Sequence, residues 1–314
     1  MHSAERDREI KLVDIAETPT KNVAKPEVQK NFGTYATQYD SIAVVQRQIA
    51  DRLIAKYLLP KLGEEVDKGI DAVREEKRKQ DLQITILDAG AGTGYLGRAL
   101  RGALSTLLEK EDHLDANLSD EKLSQALVLT AFDLAPEMLK VAEAQGGYQN
   151  FIEGDIEAIA YYLPSEISPF DFTMSSLAVQ WCHHLKRALG ALQQVTKQRL
   201  FITTLLDGTL QELEDAFKRV DDQQHILPFI SLESATHIVR QLGGDIHHYQ
   251  AVMQFPTLKA LFKSLRSIGA SALPARRKGL MGRNDFLKID HYFQQLGAYQ
   301  LTYHVAEIIL PGRA

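Results

Sequence analysis

Short apolar runs separated by amphipathic stretches recur through the middle of the chain. Ile84-Thr85-Ile86-Leu87, Ala126–Phe132, Phe151-Ile152, Phe170–Met174 and Leu200–Leu206 have the length and the β-branched or aromatic content of buried strands. Between them, Tyr95–Leu108, Pro136–Gln145 and Ala188–Val195 carry helical spacing, the second with a proline near its first turn. Strands alternating with helices predict a doubly wound parallel sheet.

The flanks read differently. From Glu27 to Leu59 the period is helical, with Val44, Val45, Ile49, Leu53, Ile54 and Leu58 recurring at helical steps. Residues 1–26 have no clean period and read as a flexible leader, leaving 27–314 as a single domain. Stretches 63–81 and 105–125 are polar, charge-dense connectors with the look of solvated insertions. Leu210–Val220, Leu232–Leu242, Leu258–Leu265 and Asp285–Leu296 predict helices, and Thr302–Leu310 a closing strand. The segments 27–60 and 208–242 are expected to cap the domain.

Composition narrows the class. The chain has 314 residues, 45% hydrophobic and 25% charged, with a net charge of −5. A negative total argues against a broad nucleic-acid surface. The single cysteine, Cys182, excludes an intrachain disulfide and a cysteine-rich metal site. No start resembling a secretory signal and no run of roughly 20 apolar residues is present. The expectation is a cytoplasmic protein with neither nucleic-acid nor membrane partner. The pairs His183-His184 and His247-His248 lack a third ligand pattern, so no metal is expected.

Four signals carry chemistry. Asp88-Ala89-Gly90-Ala91-Gly92-Thr93-Gly94 follows the first strand, and its glycines permit positive φ and close backbone approach to a ligand. Counted from Gly90, the third glycine of a dinucleotide-binding loop is absent. Asp133 ends the second strand, where a carboxylate can accept from both ribose hydroxyls, and Leu134-Ala135-Pro136-Glu137-Met138-Leu139 follows. Gly154-Asp155-Ile156-Glu157 follows the third strand; its acid suits either an adenine amino group or a helix cap. Phe170–Met174 ends in Ser175-Ser176 and leads to Trp181, at the strand end where open sheets bind ligands.

In this order the signals resemble the motifs of class I S-adenosylmethionine methyltransferases. A narrower resemblance spans roughly residues 28–310. Val28-Gln29-Lys30-Asn31-Phe32-Gly33, Tyr39-Asp40, Gln46–Asp51, Leu177-Ala178-Val179-Gln180-Trp181-Cys182, Phe201–Leu213, Ser264–Ala270 and Leu301-Thr302-Tyr303-His304 are similar to segments of the malonyl-[acyl-carrier-protein] O-methyltransferases of biotin synthesis. Thr196-Lys197-Gln198-Arg199, read as the loop before the fifth strand, lacks that family's Pro-Gly-Gly pattern.

The resemblance implies a Rossmann-like, mostly parallel seven-stranded sheet with helices on both faces, plus N-terminal helical and lid segments. It implies S-adenosylmethionine as cofactor, S-adenosylhomocysteine as product, no metal, and malonyl-acyl carrier protein as partner. Asp88, Gly90, Gly92, Gly94, Asp133, Leu134, Met138, Asp155, Ile156 and Ser176 are the expected cofactor residues. Tyr39 is expected to cover or orient the reacting groups, Phe229 to shield them, and Arg266 or Arg47 to hold the substrate carboxylate. Arg276-Arg277-Lys278 and Arg283 form a basic cluster suited to an acidic carrier protein. A methyltransferase for another small acceptor, or a related assembly factor that hydroxylates or binds a partner protein, would keep the same cofactor signals.

Overall fold

The computed structural model describes residues 24–64, 83–110, 127–167, 169–267 and 282–314. Two helices open the described chain, α1 (Lys25–Ile42) and α2 (Val44–Leu53), the latter continuing through a π-helical turn at Ile54–Leu58. The alternating core follows as β1 (Ile84–Ala89), α3 (Tyr95–Lys110), β2 (Leu127–Asp133), α4 (Pro136–Gln145), β3 (Asn150–Glu153), β4 (Phe170–Ser176), α5 (Leu185–Gln194) and β5 (Thr196–Leu205). The last third contributes α6 (Gln211–Phe217), α7 (Leu232–Gln241), β6 (Asp245–Phe255), α8 (Leu258–Ser267), α9 (Arg283–Leu296) and β7 (Tyr299–Pro311).

All seven strands join one sheet in the order β3-β2-β1-β4-β5-β7-β6. Strands β1 to β5 run parallel, and β7 enters antiparallel between β5 and β6. The order reverses between β1 and β4, which opens a crevice at the strands' carboxyl ends. Helices α5 and α7 bury Leu189, Leu192, Ile238 and Val239 on one face. The other face packs α2 and α3 through Leu53, Leu96 and Leu100 against Ile86, Phe172 and Phe201. Toward β7, Ile49 of α2 meets Leu261, Ile289 and Phe293 of α8 and α9. The mostly parallel, doubly wound sheet is therefore as expected.

Four boundaries differ from the sequence reading. Helix α1 begins at Lys25, inside the stretch read as leader, because Pro26 fits a first helical turn and Lys25 pairs with Asp155 and Glu157. Thr196–Arg199 is the start of β5, not a loop: Thr196 pairs with Phe170 before the register shifts at a bulge. Strand β6 went unread, although Tyr249, Ala251, Met253 and Phe255 alternate with more exposed residues. Helix α7, within the expected cap, lies in the sheet's flanking layer beside α5. The connector segments 65–82 and 111–126 lie outside the described residues; 105–110 are the end of α3.

A buried acid fastens the N-terminal segment to the sheet. Glu307 of β7 is 1% exposed and accepts from Arg52 Nε at 2.6 Å, Lys56 Nζ at 2.7 Å and Tyr57 Oη at 2.7 Å. Burial pushes its carboxyl up, but Lys56, Arg52 and Tyr57 together hold it below the ordinary glutamate range. A depressed native pKa gives stability above the ordinary value that is lost as pH falls through the native one. Glu307→Gln is thus expected to cost about 2 kcal/mol at neutral pH. In urea titrations the gap to wild type should close below about pH 4; a gap persisting there would contradict the charge-based account.

Candidate active site

The crevice is floored by the turn after β1. Gly90, Gly92 and Gly94 have φ of 81°, 55° and 79°. The amides of Gly90 and Ala91 donate to Phe132 O at 2.7 and 3.1 Å, which fixes the turn against β2. A Cβ on Gly90 would stand 2.1 Å from Ala178 Cβ, so the turn and the segment after β4 touch backbone to side chain. Around Gly92 a Cβ would meet nothing within 4 Å. The turn therefore closes tightly on one side and opens on the other, as a cradle for a ligand does.

Two carboxylates flank this turn. Asp133 Oδ2 accepts from Gly92 N and Oδ1 from Ala135 N, both at 2.8 Å, so one side chain sets both strand-end loops. Burial pushes Asp133 up against these amide bonds. Asp88 is 1% exposed and takes the Tyr148 hydroxyl at 2.5 Å, while Tyr148 Oη accepts from Gly97 N at 2.8 Å. Burial drives Asp88 up to about 7, opposed by the Tyr148 bond and reinforced by the charge of Asp133.

The other expected cofactor residues arrive at the same edge with different surroundings. Ile156 is buried, its Cδ1 3.8 Å from the position of a Gly90 Cβ. Leu134, half-buried, follows Asp133. Ser176 ends β4, and its hydroxyl accepts from Thr203 at 3.2 Å. Asp155 Oδ1 accepts from the Glu157 amide at 3.0 Å, and Oδ2 accepts from Lys25 Nζ. Met138 is 1% exposed and packs with Ala36 and Ala135, so it joins α4 to α1.

Helix α1 and the segment after α6 form the roof. Phe32 lies edge-on to Trp181 at 5.3 Å, and Val28 meets Leu227. Tyr39 packs beside Ala36 and Met138. Burial, then the charges of Asp133 and Asp40, hold its hydroxyl protonated well above the ordinary range. Phe229 sits on the cluster formed by Leu205, Leu210 and Tyr303. Arg47 donates to Asp40 O and lies 6.0 Å over the Tyr95 ring. Arg266 lies on α8 with its side chain outside the described residues, as do Arg276, Arg277 and Lys278. Arg283 starts α9.

Several groups at the site were not singled out from sequence. Asp40 bridges Thr93 Oγ1 and Arg98 Nη2, the latter at 2.8 Å, and so ties α1 to the glycine turn. Arg98 also donates to Thr93 O at 2.6 Å. Its position one turn after Gly94 was the available signal. Tyr148, after the Gly146-Gly147 turn, is the partner of Asp88. Leu177 and Leu210, both non-glycine residues at positive φ (53° and 62°), follow β4 and β5 and mark strained backbone at the crevice.

A reversed strand order with an acid–glycine turn and a second strand-end acid defines an S-adenosylmethionine-dependent methyltransferase. A model of the methyltransferase domain matches residues 114–202. Malonyl-[acyl-carrier protein] O-methyltransferase of Yersinia pestis is 32% identical over 294 residues, covering 91% of each chain. The same-named protein of Pectobacterium atrosepticum is 33% identical over 296 residues, 91% of this chain and 96% of its own. The chain belongs to the malonyl-[acyl-carrier protein] O-methyltransferase family. Among solved structures, the YcgJ protein of Bacillus subtilis aligns over 77% of this chain and 97% of its own, at 14% identity and a TM-score of 0.46. No helix among the described residues is long and apolar enough to cross a membrane.

Proposed function

We propose that the protein methylates the free carboxylate of malonyl-acyl carrier protein, giving the methyl ester that primes pimeloyl synthesis for biotin. One observation carries this reading: the likeness to relatives of that name runs over 91% of the chain, far beyond the domain match at 114–202. It therefore takes in α2 and also α1 and the segment after α6, which roof the crevice where an acceptor is chosen. A shared cofactor floor alone would not discriminate between acceptors.

The chemistry asks little of the chain. When bound, S-adenosylmethionine supplies an activated methyl group on a sulfonium. The acceptor carboxylate is already ionised at neutral pH, so no general base is needed. What remains is alignment and exclusion of water. Phe32, Trp181 and Leu227, which pack together, would keep solvent from the crevice. Asp133, Gly92 and Ser176 are proposed to hold the cofactor's ribose and adjoining groups, with Asp88, Gly90, Gly94, Leu134, Met138, Asp155 and Ile156 shaping the bed. Tyr39, neutral at working pH, is proposed to donate its hydroxyl to the acceptor carboxylate. Phe229 would shield the site, and Arg266 would bind the malonyl carboxylate as the family resemblance implies. Segment 27–60 and the part of 208–242 that precedes α7 would act as cap over one domain.

Tyr39→Phe keeps the ring and removes the donor. It is expected to lower kcat/KM about tenfold, the worth of one hydrogen bond to a charged group, with S-adenosylhomocysteine affinity unchanged. Parallel loss of cofactor affinity would remove Tyr39 from the acceptor side. The function itself is tested with labelled S-adenosylmethionine and malonyl- or acetyl-acyl carrier protein. Base-labile label on the malonyl form alone is the expected result. No transfer by protein that binds S-adenosylhomocysteine in calorimetry would sink the assignment.

A further inference from the structure

Helix α2 presents one continuous apolar arc to the interior. At about 100° per residue, Val45, Ile49, Leu53, Ala50 and Ala43 fall in sequence around it, and all five are buried. Gln46 falls within this arc, between Leu53 and Ala50. A glutamine there contradicts the pattern that folds the helix, and such conflicts concentrate at functional positions. Its Oε1 is buried and receives no hydrogen bond. Gln193 is the other described residue with a buried unbonded oxygen, but its amide nitrogen holds Leu242 O at 3.1 Å and Pro311 O at 2.8 Å, which accounts for its burial. Among the described residues no donor reaches Gln46 Oε1. Most buried acceptors in native proteins have a partner, and a bound molecule would supply the one that Gln46 Oε1 lacks.

The surroundings say which one. Helix α2 packs on α3, β4 and β5, and Ala50, one turn beyond Gln46, shares a cluster with Ala91 of the glycine turn and Leu96 of α3. On either side of that turn of helix, Arg47 lies over the Tyr95 ring and Asp51 accepts the Tyr95 hydroxyl at 2.8 Å. These contacts hold the stretch of α2 that carries Gln46 against the start of α3. The resemblance to class I methyltransferases implies that the glycine turn packs against the cofactor's methionine portion, whose α-ammonium offers three N–H donors. We propose that Gln46 binds the amino-acid end of S-adenosylmethionine, its Oε1 accepting from the α-ammonium. The inference rests on that cofactor reading.

Calorimetry on the full chain separates the two. S-adenosylhomocysteine carries the amino-acid end and 5′-methylthioadenosine lacks it. Gln46→Met, of similar shape, should weaken S-adenosylhomocysteine about tenfold and leave 5′-methylthioadenosine unchanged, the latter also showing that the variant is folded. Gln46→Glu keeps an acceptor and should retain S-adenosylhomocysteine affinity. Equal weakening of both ligands by Gln46→Met, no weakening of either, or loss of S-adenosylhomocysteine binding by Gln46→Glu would each overturn the assignment. Wild-type protein that binds neither ligand would overturn the cofactor reading and this inference with it.

Discussion

Gly90→Ala is expected to abolish S-adenosylhomocysteine binding and to lower thermal stability sharply. Two costs combine. The residue sits at φ 81°, where a Cβ costs about 1–2 kcal/mol. The new methyl would also stand 2.1 Å from Ala178 Cβ, well inside the roughly 3.5–4 Å of ordinary carbon contact, and Ala178 belongs to a turn fixed by Leu177 N on Thr203 O. The turn must move, and its amides on Phe132 O move with it. The clash has a specific remedy. Gly90→Ala with Ala178→Gly removes the colliding methyl and leaves only the backbone penalty. The double variant should recover most of the melting temperature and part of the affinity. Single and double variants that melt together would show that the contact is not what restricts position 90.

The contact between Gly90 and Ala178 marks where sequence reading stops. The glycines and the acids at strand ends are legible because each is dictated locally, by a turn needing positive φ or a strand ending in a crevice. The partner of Gly90 is 88 positions away and small, with nothing to announce it. The same holds for the ties that fasten the N-terminal segment. Lys25 reaches Asp155 and Glu157, Asp40 reaches Thr93 and Arg98, and Arg52, Lys56 and Tyr57 converge on Glu307. No local pattern announces these pairings, and Lys25 falls in the stretch read as leader. Only folding brings their partners to them.

The strand errors have a related cause. Thr196–Arg199 holds three polar residues that stay exposed at the lower end of β5, so a strand reads as a loop. Strand β6 lies at the sheet edge and is paired only to β7, with one face open. His247, His248, Gln250 and Gln254 dilute its apolar content below what a buried strand shows. Helix α7 reads as lid from its position after the fifth strand; Ala235, Ile238 and Val239 instead give it a fully buried side that the sheet requires. Patterns set by burial on both sides are legible, whereas edges and connections depend on what packs against them.

Asp88 gives the second large effect, and its sign is distinctive. Its carboxyl is displaced from the ordinary 3.8 to about 7, chiefly by burial. In the unfolded chain it ionises near its ordinary value; in the native chain it resists until near neutrality. Below about pH 4 both states hold the proton and the group has no effect. As pH rises toward 7 the unfolded state alone is relieved of it, so native stability falls. Beyond 7 the loss is complete, on the order of 4 kcal/mol from this displacement. Glu307 and Glu157, both depressed, act in the opposite direction but below the ordinary glutamate range, so the windows scarcely overlap. Asp88→Asn keeps an acceptor for Tyr148 and cannot ionise. Denaturant titrations from pH 4 to 8 should show wild type losing stability relative to Asp88→Asn across this window, with Asp88→Asn the more stable protein at pH 8. Two parallel curves would mean that Asp88 ionises normally in the native state. S-adenosylhomocysteine carries an ammonium that favours an ionised carboxylate nearby. Adding it should make the wild-type decline smaller and end it at lower pH, with no such change in Asp88→Asn.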